Sequence, residues 1–269
     1  MSGSDPVLRV ETRDRVRLLT LDRPEALNAF DDALYDAVRD ALHAAADDPS
    51  VAVVVITGAG RAFSAGQDLG ELERPPRHTD GRPHGFPSFI AAVEAFPKPL
   101  LAAVNGIGVG IGLTLLPHCD LVLIAEHARL RAPFVSLGVT AEAGSTLLLP
   151  ATIGWQQTAH LLYTASWLDA ERAVAVGLAW RSVPGERLLE ETLAVARQIA
   201  AMPIPSLVAT KVLLLAARLE AVRVARARET VRFDRLAGGP ANREAIAAFR
   251  EKRDPDFTRL DAEGADPTR

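Results

Sequence analysis

Cysteine is almost absent from this chain, aromatic residues are few, and basic charge shows no excess. One cysteine, Cys119, stands among 269 residues, so no intramolecular disulfide framework can form. Aromatics make up 5% of the chain against 48% for all hydrophobic types, so the core has to be built from Ala, Val, Leu and Ile. Lys and Arg number 30, Asp and Glu 34, for a net charge of -4. That balance argues against a nucleic-acid partner recognised through a basic surface. No apolar run reaches the roughly 18 residues of a membrane span, so no membrane partner is expected. The first residues, Met1 to Pro6, carry neither the basic nor the apolar segment of a secretory signal, and a cytoplasmic location is the expectation. The six histidines and one cysteine form no ligand-spaced pair, so no metal is expected.

What is present is a long enough chain for a sizeable core, able to bury about 75% of its unfolded surface. Val7–Val10 and Val16–Leu21 read as strands around a charged turn. Asp31–Ala46 reads as a helix, capped by Asp31 or Asp32, with Leu34, Val38, Ala41, Leu42 and Ala45 on one face. The continuous apolar runs Val51–Thr57, Leu100–Val104 and Leu121–Ala125 read as buried parallel strands. Phe86–Phe96 reads as a helix between them, after a Pro-, Arg- and His-rich loop over Glu73–Gly85. From Gly144 onward the pattern is helical: Ser145–Leu149, Trp155–Tyr163, Asp169–Val176, Glu186–Ala200, Ser206–Leu215, Glu220–Leu236 and Ala241–Lys252. The expected organisation is an α/β core over residues 1–200 and a helical C-terminal region over 201–269.

Two glycine-rich turns each follow a buried strand. The first, Gly58 to Leu69, contains Gly60 and Gly66 and is expected to lead into a short helix. The second, Asn105 to Gly112, alternates glycine with other residues and is expected to open a helix of about two turns. Helix N-termini carry unsatisfied N–H groups and a positive dipole end, and two converging N–H groups make an oxyanion hole. Tight backbone packing alone also explains such glycines. A dinucleotide fingerprint fails, because Ile111 and Leu113 stand where the last glycine is required, and no Gly-Lys-Ser/Thr follows to make a P-loop.

Taken in order, these segments resemble the crotonase, or enoyl-CoA hydratase/isomerase, superfamily. Gly60 to Leu69 is similar to its first signature. Further likeness lies in Leu21 to Phe30, Lys98 to Gly106, Cys119 to Leu121, Ala170 to Ala173 with Gly177 to Ala179, and Phe249 to Phe257, so that it spans roughly residues 7–257. The resemblance implies an α/β fold made of a spiral of ββα units followed by helices that trimerise, giving a homotrimer or a dimer of trimers. It implies an acyl-CoA thioester substrate, with no separate cofactor because coenzyme A is part of that substrate. The oxyanion donors would be the N–H groups of Gln67 and Ile111; Ile111 departs from the glycine usual there. Arg23, Ala26, Leu27, Ala65, Gly66, Asp68 and Leu69 would contact CoA, Gly110, Thr114 and Phe134 would also meet the substrate or its CoA, and the Glu73–Phe89 segment would line the acyl end of the pocket. Lys252 and Phe257 would reach CoA from a chain end.

The same resemblance bears on the reaction. Family hydratases carry two glutamates, which would fall at 114 and 134; here these are Thr114 and Phe134, and neither is a base at neutral pH. In several family isomerases a carboxylate stands later, in a segment like Leu137 to Gly144, where this chain has Glu142. A carboxylate base works best with its pKa raised by burial. The favoured expectation is a Δ3–Δ2-enoyl-CoA isomerase with Glu142 as acid and base. The alternatives are a hydratase or other crotonase reaction in which Glu142 directs water, and a catalytically silent acyl-CoA-binding protein. From the residues alone, Glu142 also reads as a solvated helix-start acid, Asp68 as a cap, Thr114 as a hydroxyl bonded to a preceding carbonyl, and His118 and Cys119 as packing residues.

Overall fold

The apolar runs at 51–57 and 100–104 have no polar face, and each becomes a strand covered on both sides. The computed structural model describes residues 6–68, 70 and 84–262. The chain opens with the hairpin β1 (Leu8–Arg13) and β2 (Val16–Leu21), then α1 (Asp32–Asp47), β3 (Val53–Gly58), β4 (Ala62–Ser64) and α2 (Gly85–Glu94). There follow β5 (Leu100–Val104), β6 (Ile107–Val109), α3 (Ile111–Thr114), β7 (Leu121–Ala125) and β8 (Arg129–Arg131). Next come α4 (Ser145–Ile153), α5 (Trp155–Thr164), β9 (Leu168–Asp169), α6 (Ala170–Ala175) and β10 (Arg181–Val183). The chain continues with α7 (Leu188–Ala200), α8 (Ile204–Ala216), α9 (Leu219–Leu236), α10 (Pro240–Glu251) and α11 (Phe257–Ala262).

The strands form two sheets. The larger has the order β1-β2-β3-β5-β7-β10, and the smaller β4-β6-β8-β9. From β2 to β10 the larger sheet is parallel, with β1 antiparallel at its edge. Three successive pairs, β3 with β4, β5 with β6 and β7 with β8, each place one strand in either sheet, so the chain advances as a spiral. Gly106 makes the coils fit together. A Cβ there would lie 2.1 Å from the carbonyl oxygen of Arg61, so only glycine lets the turn after β5 rest on the turn after β3.

Local chemistry sets the element ends. The Asp31 side chain accepts from the Leu34 N–H at 2.9 Å and caps α1. Leu34, Tyr35, Val38, Leu42 and Ala45 make its buried face. At its other end, buried Lys98 donates to the carbonyls of Ala45 (2.6 Å) and Asp48 (2.7 Å), a cation on the negative end of the helix. Helix α7 lies on the central strands of the larger sheet. Two C-terminal helices fold back on the spiral: α9 packs on α4, and α10 on the 135–137 turn. Among the described residues no single helix is long and apolar enough to cross a membrane.

The long strands and helices match expectation to within a few residues. The short strands β4, β6, β8 and β9 do not follow from any periodicity, because two or three residues display none. The second glycine turn does not pass straight into a helix: β6 intervenes, and α3 is only four residues long before a 3-10 turn at Leu116–His118. After Gly66 the chain continues the pairing as an isolated bridge between Gln67 and Phe30; the short helix expected beyond it lies outside the described residues, as does most of the Glu73–Gly85 loop.

Asn28 ties the first glycine turn to the N-terminal segment. It is fully buried, donates to Ala59 O and Ala62 O at 2.8 Å each, and accepts from the Arg23 N–H at 2.9 Å. Asn28→Ala takes the side-chain partner from Ala59 O and the Arg23 N–H and leaves Ala62 O with Asn105 Nδ2 alone as side-chain donor; it should cost about 2 kcal/mol of unfolding free energy, read as a shift in the urea midpoint. A midpoint within experimental error of the parent would show that the turn does not need this anchor.

Candidate active site

The two glycine turns meet main chain to main chain. Gly66 has φ +96, and a Cβ there would lie 2.9 Å from Val109 O and 3.8 Å from Gly110 Cα. Phe30 takes both main-chain bonds on one side of the Gln67 bridge: its N–H donates to Gly66 O (2.7 Å) and its carbonyl accepts from the Asp68 N–H (2.8 Å). The N–H of Gln67 therefore points to the opposite side. The N–H of Ile111 sits at the start of α3, after Gly110 at φ 55, where a helix has no acceptor of its own. Among the described residues neither N–H has a hydrogen-bond partner. Ile111 sends its side chain into the hydrophobic core, with 1% exposed, so its bulk is taken up there.

Glu142 lies in a strained turn ahead of α4. Ala143 (φ 63) and Gly144 (φ 68) are consecutive left-handed residues, a conformation that costs energy at alanine and must be held from outside. Two groups hold it. His118, buried, has Nε2 2.8 Å from Ala143 O. Burial pushes this imidazole down to about 4, so it is neutral at pH 7 and donates its one N–H to that carbonyl. Glu229 of α9 accepts from the Gly144 N–H (2.6 Å), the Thr146 N–H (2.8 Å) and the Thr146 hydroxyl (2.5 Å), and so caps α4 from a distant part of the chain. Nearby, Ser145 Oγ is the one buried side-chain polar atom among the described residues without a partner.

The Glu142 carboxyl is pushed up to about 8, first by burial and then by the negative charge of Glu229. The residue as a whole stays partly accessible, so the group is desolvated yet can still be reached. Tyr35 links it to the glycine turns. The Tyr35 hydroxyl donates to Gln67 Oε1 at 2.8 Å, and its ring packs among Phe30, Phe86 and Phe89. Burial holds the phenol well above its ordinary range, and Glu142 raises it further, ahead of Asp32 and Asp31 on the phenol's own helix. Glu142, Tyr35 and Gln67 thus share one electrostatic neighbourhood.

Thr114 and Phe134 offer no second base. The Thr114 hydroxyl is fully buried and donates to Gly110 O at 3.3 Å, and Phe134 is buried. Arg23, Ala26, Leu27, Ala65, Gly66 and Asp68 are brought together: the Ala65 N–H donates to Leu27 O at 2.9 Å, and Arg23 pairs with Asp68 (3.0 Å) and Asp31 (3.3 Å). Asp68 also accepts from the Gly70 N–H, so both its oxygens serve the turn. Leu69 lies outside the described residues. Lys252 is exposed just beyond α10, and Phe257 opens α11; among the described residues no hydrogen bond or ion pair joins either to the glycine turns. Tyr35, His118 and Glu229 are the site residues that sequence reading did not place there. Only the acidic or phenolic character of two of them hinted at chemistry.

The family model described as enoyl-CoA hydratase/isomerase matches residues 11–260. The chain belongs to the enoyl-CoA hydratase/isomerase family. It is 38% identical to 2,3-dehydroadipyl-CoA hydratase of Escherichia coli (strain K12) over 253 residues, 93% of this chain and 98% of that one. It is 34% identical to 1,2-epoxyphenylacetyl-CoA isomerase of the same organism over 251 residues, 90% and 95% of the two chains. The crystal structure of an enoyl-CoA hydratase/isomerase from Pseudoalteromonas atlantica T6c superposes with a TM-score of 0.90 at 36% identity, covering 93% of this chain and 99% of that one. The spiral and its paired glycine turns are therefore those of an acyl-CoA enzyme of this family, the crotonase fold.

A raised carboxyl pKa carries a stability consequence. The ordinary value is 4.5 and the folded value about 8, so between these the folded chain holds a proton that the unfolded chain has lost. Stability falls as pH rises through that window. Glu142→Gln removes this loss. Its melting temperature should exceed that of the parent by about 4 °C or more at pH 8, with the gap closing toward pH 4.5. An equal gap at every pH would mean that Glu142 ionises normally.

Proposed function

We propose that this chain moves a carbon–carbon double bond of an enoyl-CoA thioester from the Δ3 to the Δ2 position. Glu142, as carboxylate, takes a proton from C2, and the electron pair of that C–H bond passes into a dienolate whose charge rests on the thioester oxygen. The N–H groups of Gln67 and Ile111 receive that oxygen; losing one such donor costs about 2.7–4 kcal/mol in other enzymes. Glu142 then returns the proton to C4, leaving the double bond between C2 and C3. One carboxyl acts first as base and then as acid, which suits a group whose pKa is shifted toward neutrality.

The observation that carries this reading is that Glu142 has a raised pKa and no carboxyl stands at position 114 or 134. Glu142 is raised to about 8, while position 114 holds a hydroxyl already spent on Gly110 O and position 134 holds a buried phenyl ring. Without a carboxylate at position 114 or 134, and with Glu229 occupied by three main-chain and hydroxyl donors of the same turn, moving a proton is favoured over adding water. The likeness to an isomerase of Escherichia coli is in keeping with it. The likeness to a hydratase of the same organism favours a second reading, hydration of a 2-enoyl-CoA with Glu142 directing the water. The reading requires no metal or redox cofactor, since CoA enters as part of the substrate. The assembly proposed is a homotrimer or a dimer of trimers, in keeping with the exposed apolar side chains of Val212, Leu213 and Leu214 on α8.

The test is turnover of a 3-enoyl-CoA and, separately, of a 2-enoyl-CoA. Conjugation of the first without hydration of the second supports the isomerase; hydration of the second supports the alternative; CoA binding without either reaction indicates a silent binder. Glu142→Gln should lower kcat by about 10²–10⁴-fold and leave KM nearly unchanged. Because the base must be ionised, kcat/KM of the parent should rise about tenfold per pH unit up to a midpoint near 8. A rate untouched by Glu142→Gln, or a flat profile from pH 6 to 8, would remove Glu142 from the reaction.

A further inference from the structure

The C-terminal helix α9 carries a second buried carboxylate into the turn that holds Glu142. Glu229 is 5% exposed and accepts three hydrogen bonds, from the Gly144 and Thr146 N–H groups and the Thr146 hydroxyl. Gly144 is two residues beyond Glu142, and Glu142 O accepts from the Ser145 N–H at 3.0 Å inside the same turn. We propose that Glu229 is a positioning residue for the base: it clamps the left-handed pair Ala143–Gly144 and fixes a negative charge beside the Glu142 carboxyl. This rests on Glu142 being the proton carrier.

The two acids divide the work by their partners. Glu229 is raised by burial and by Glu94, but its three hydrogen bonds favour the charged form and oppose that rise. Among the described residues no such donor meets Glu142, and it is raised by burial and by Glu229. Glu229 therefore ionises first, and its charge then delays the ionisation of Glu142. The other charged groups around the pair leave this field intact. Arg226, one turn before Glu229 on α9, is engaged with the buried Glu94 of α2 at 2.8 and 3.2 Å. His118 is neutral above about pH 4. Lys211 of α8 pairs with Asp120 at 2.6 Å, and Arg218 donates to Pro117 O. From α1, Tyr35 meets Glu142 as a neutral phenol, with Asp31 and Asp32 beyond it.

Glu229→Gln keeps the shape, removes the charge, and sets an amide NH2 against at least one of the donors that the carboxylate accepted from. In the full-length chain, the carboxyl carbon of Glu142 followed by 13C NMR should titrate roughly one pH unit lower than in the parent, and the acid limb of kcat/KM should move with it. Thr146→Ala is the control: it weakens the cap by one hydrogen bond but keeps the charge, so the melting temperature falls while the Glu142 titration stays within about 0.3 unit. Should Glu229→Gln not fold, Glu229→Asp takes its place; it draws the charge back by one methylene and should give a smaller downward shift. An unchanged Glu142 titration in the folded variant overturns the proposal, as does an equal shift in Thr146→Ala. The carboxyl titration reads Glu142 whether or not it is the base. Full turnover by Glu142→Gln would sink the functional reading and with it any role of Glu229 toward a base, whereas an unmoved titration in Glu229→Gln would sink this proposal alone.

Discussion

Main chain lying directly against main chain, with no side chain between, is the constraint on which the rest of the molecule depends. A Cβ at Gly106 would fall 2.1 Å from Arg61 O, one at Gly112 2.7 Å from Ser64 O, and one at Gly66 2.9 Å from Val109 O. These contacts fix how one coil of the spiral sits on the next, and so where the N–H groups of Gln67 and Ile111 lie relative to each other. Donors placed by stacked backbone need no rotamer to be selected and no reorganisation when charge develops near them. The apolar strands β3, β5 and β7 supply the rigidity behind the turns.

The acid side of the site is built differently, from buried carboxylates whose costs are partly offset. Glu94 is met by Arg226 and Glu229 by three donors, while among the described residues no comparable group meets Glu142. The uncompensated member is the one at the candidate reaction centre. A site of this kind gives up stability at the position where reactivity is wanted, while the neighbouring acids are satisfied well enough to keep the turn in one conformation.

The parts of the fold that could be read from sequence are those in which many residues repeat one signal. The runs at 51–57, 100–104 and 121–125 are continuous and apolar, and α1 joins a capping aspartate to a helical stripe of Leu34, Val38 and Leu42. Strands β4, β6, β8 and β9 contain two or three residues each and owe their pairing to neighbours already in place. In the site, Glu142 was legible through its register in a resemblance, and the Thr114 hydroxyl through an ordinary helix habit. Glu229, Tyr35 and His118 were not, because each is one polar residue in an unremarkable helical stretch, meeting its partner 85, 32 and 25 residues away. Arg23, which the resemblance sets against CoA, has its guanidinium shared between Asp31 and Asp68, a pairing that sequence alone did not indicate.

The span of the Glu229 bonds has a consequence for the order in which the molecule is made. On a chain emerging from its N-terminus, every residue of the two glycine turns is available well before α9 exists. The clamp on Gly144 closes across 85 residues and the Arg226–Glu94 pair across 132. The strained turn bearing Glu142 therefore gains its outer support only when residue 229 has been synthesised. On the proposed reading a firmly held base waits for residue 229, and a chain that stops short of it would carry the two glycine turns without that support.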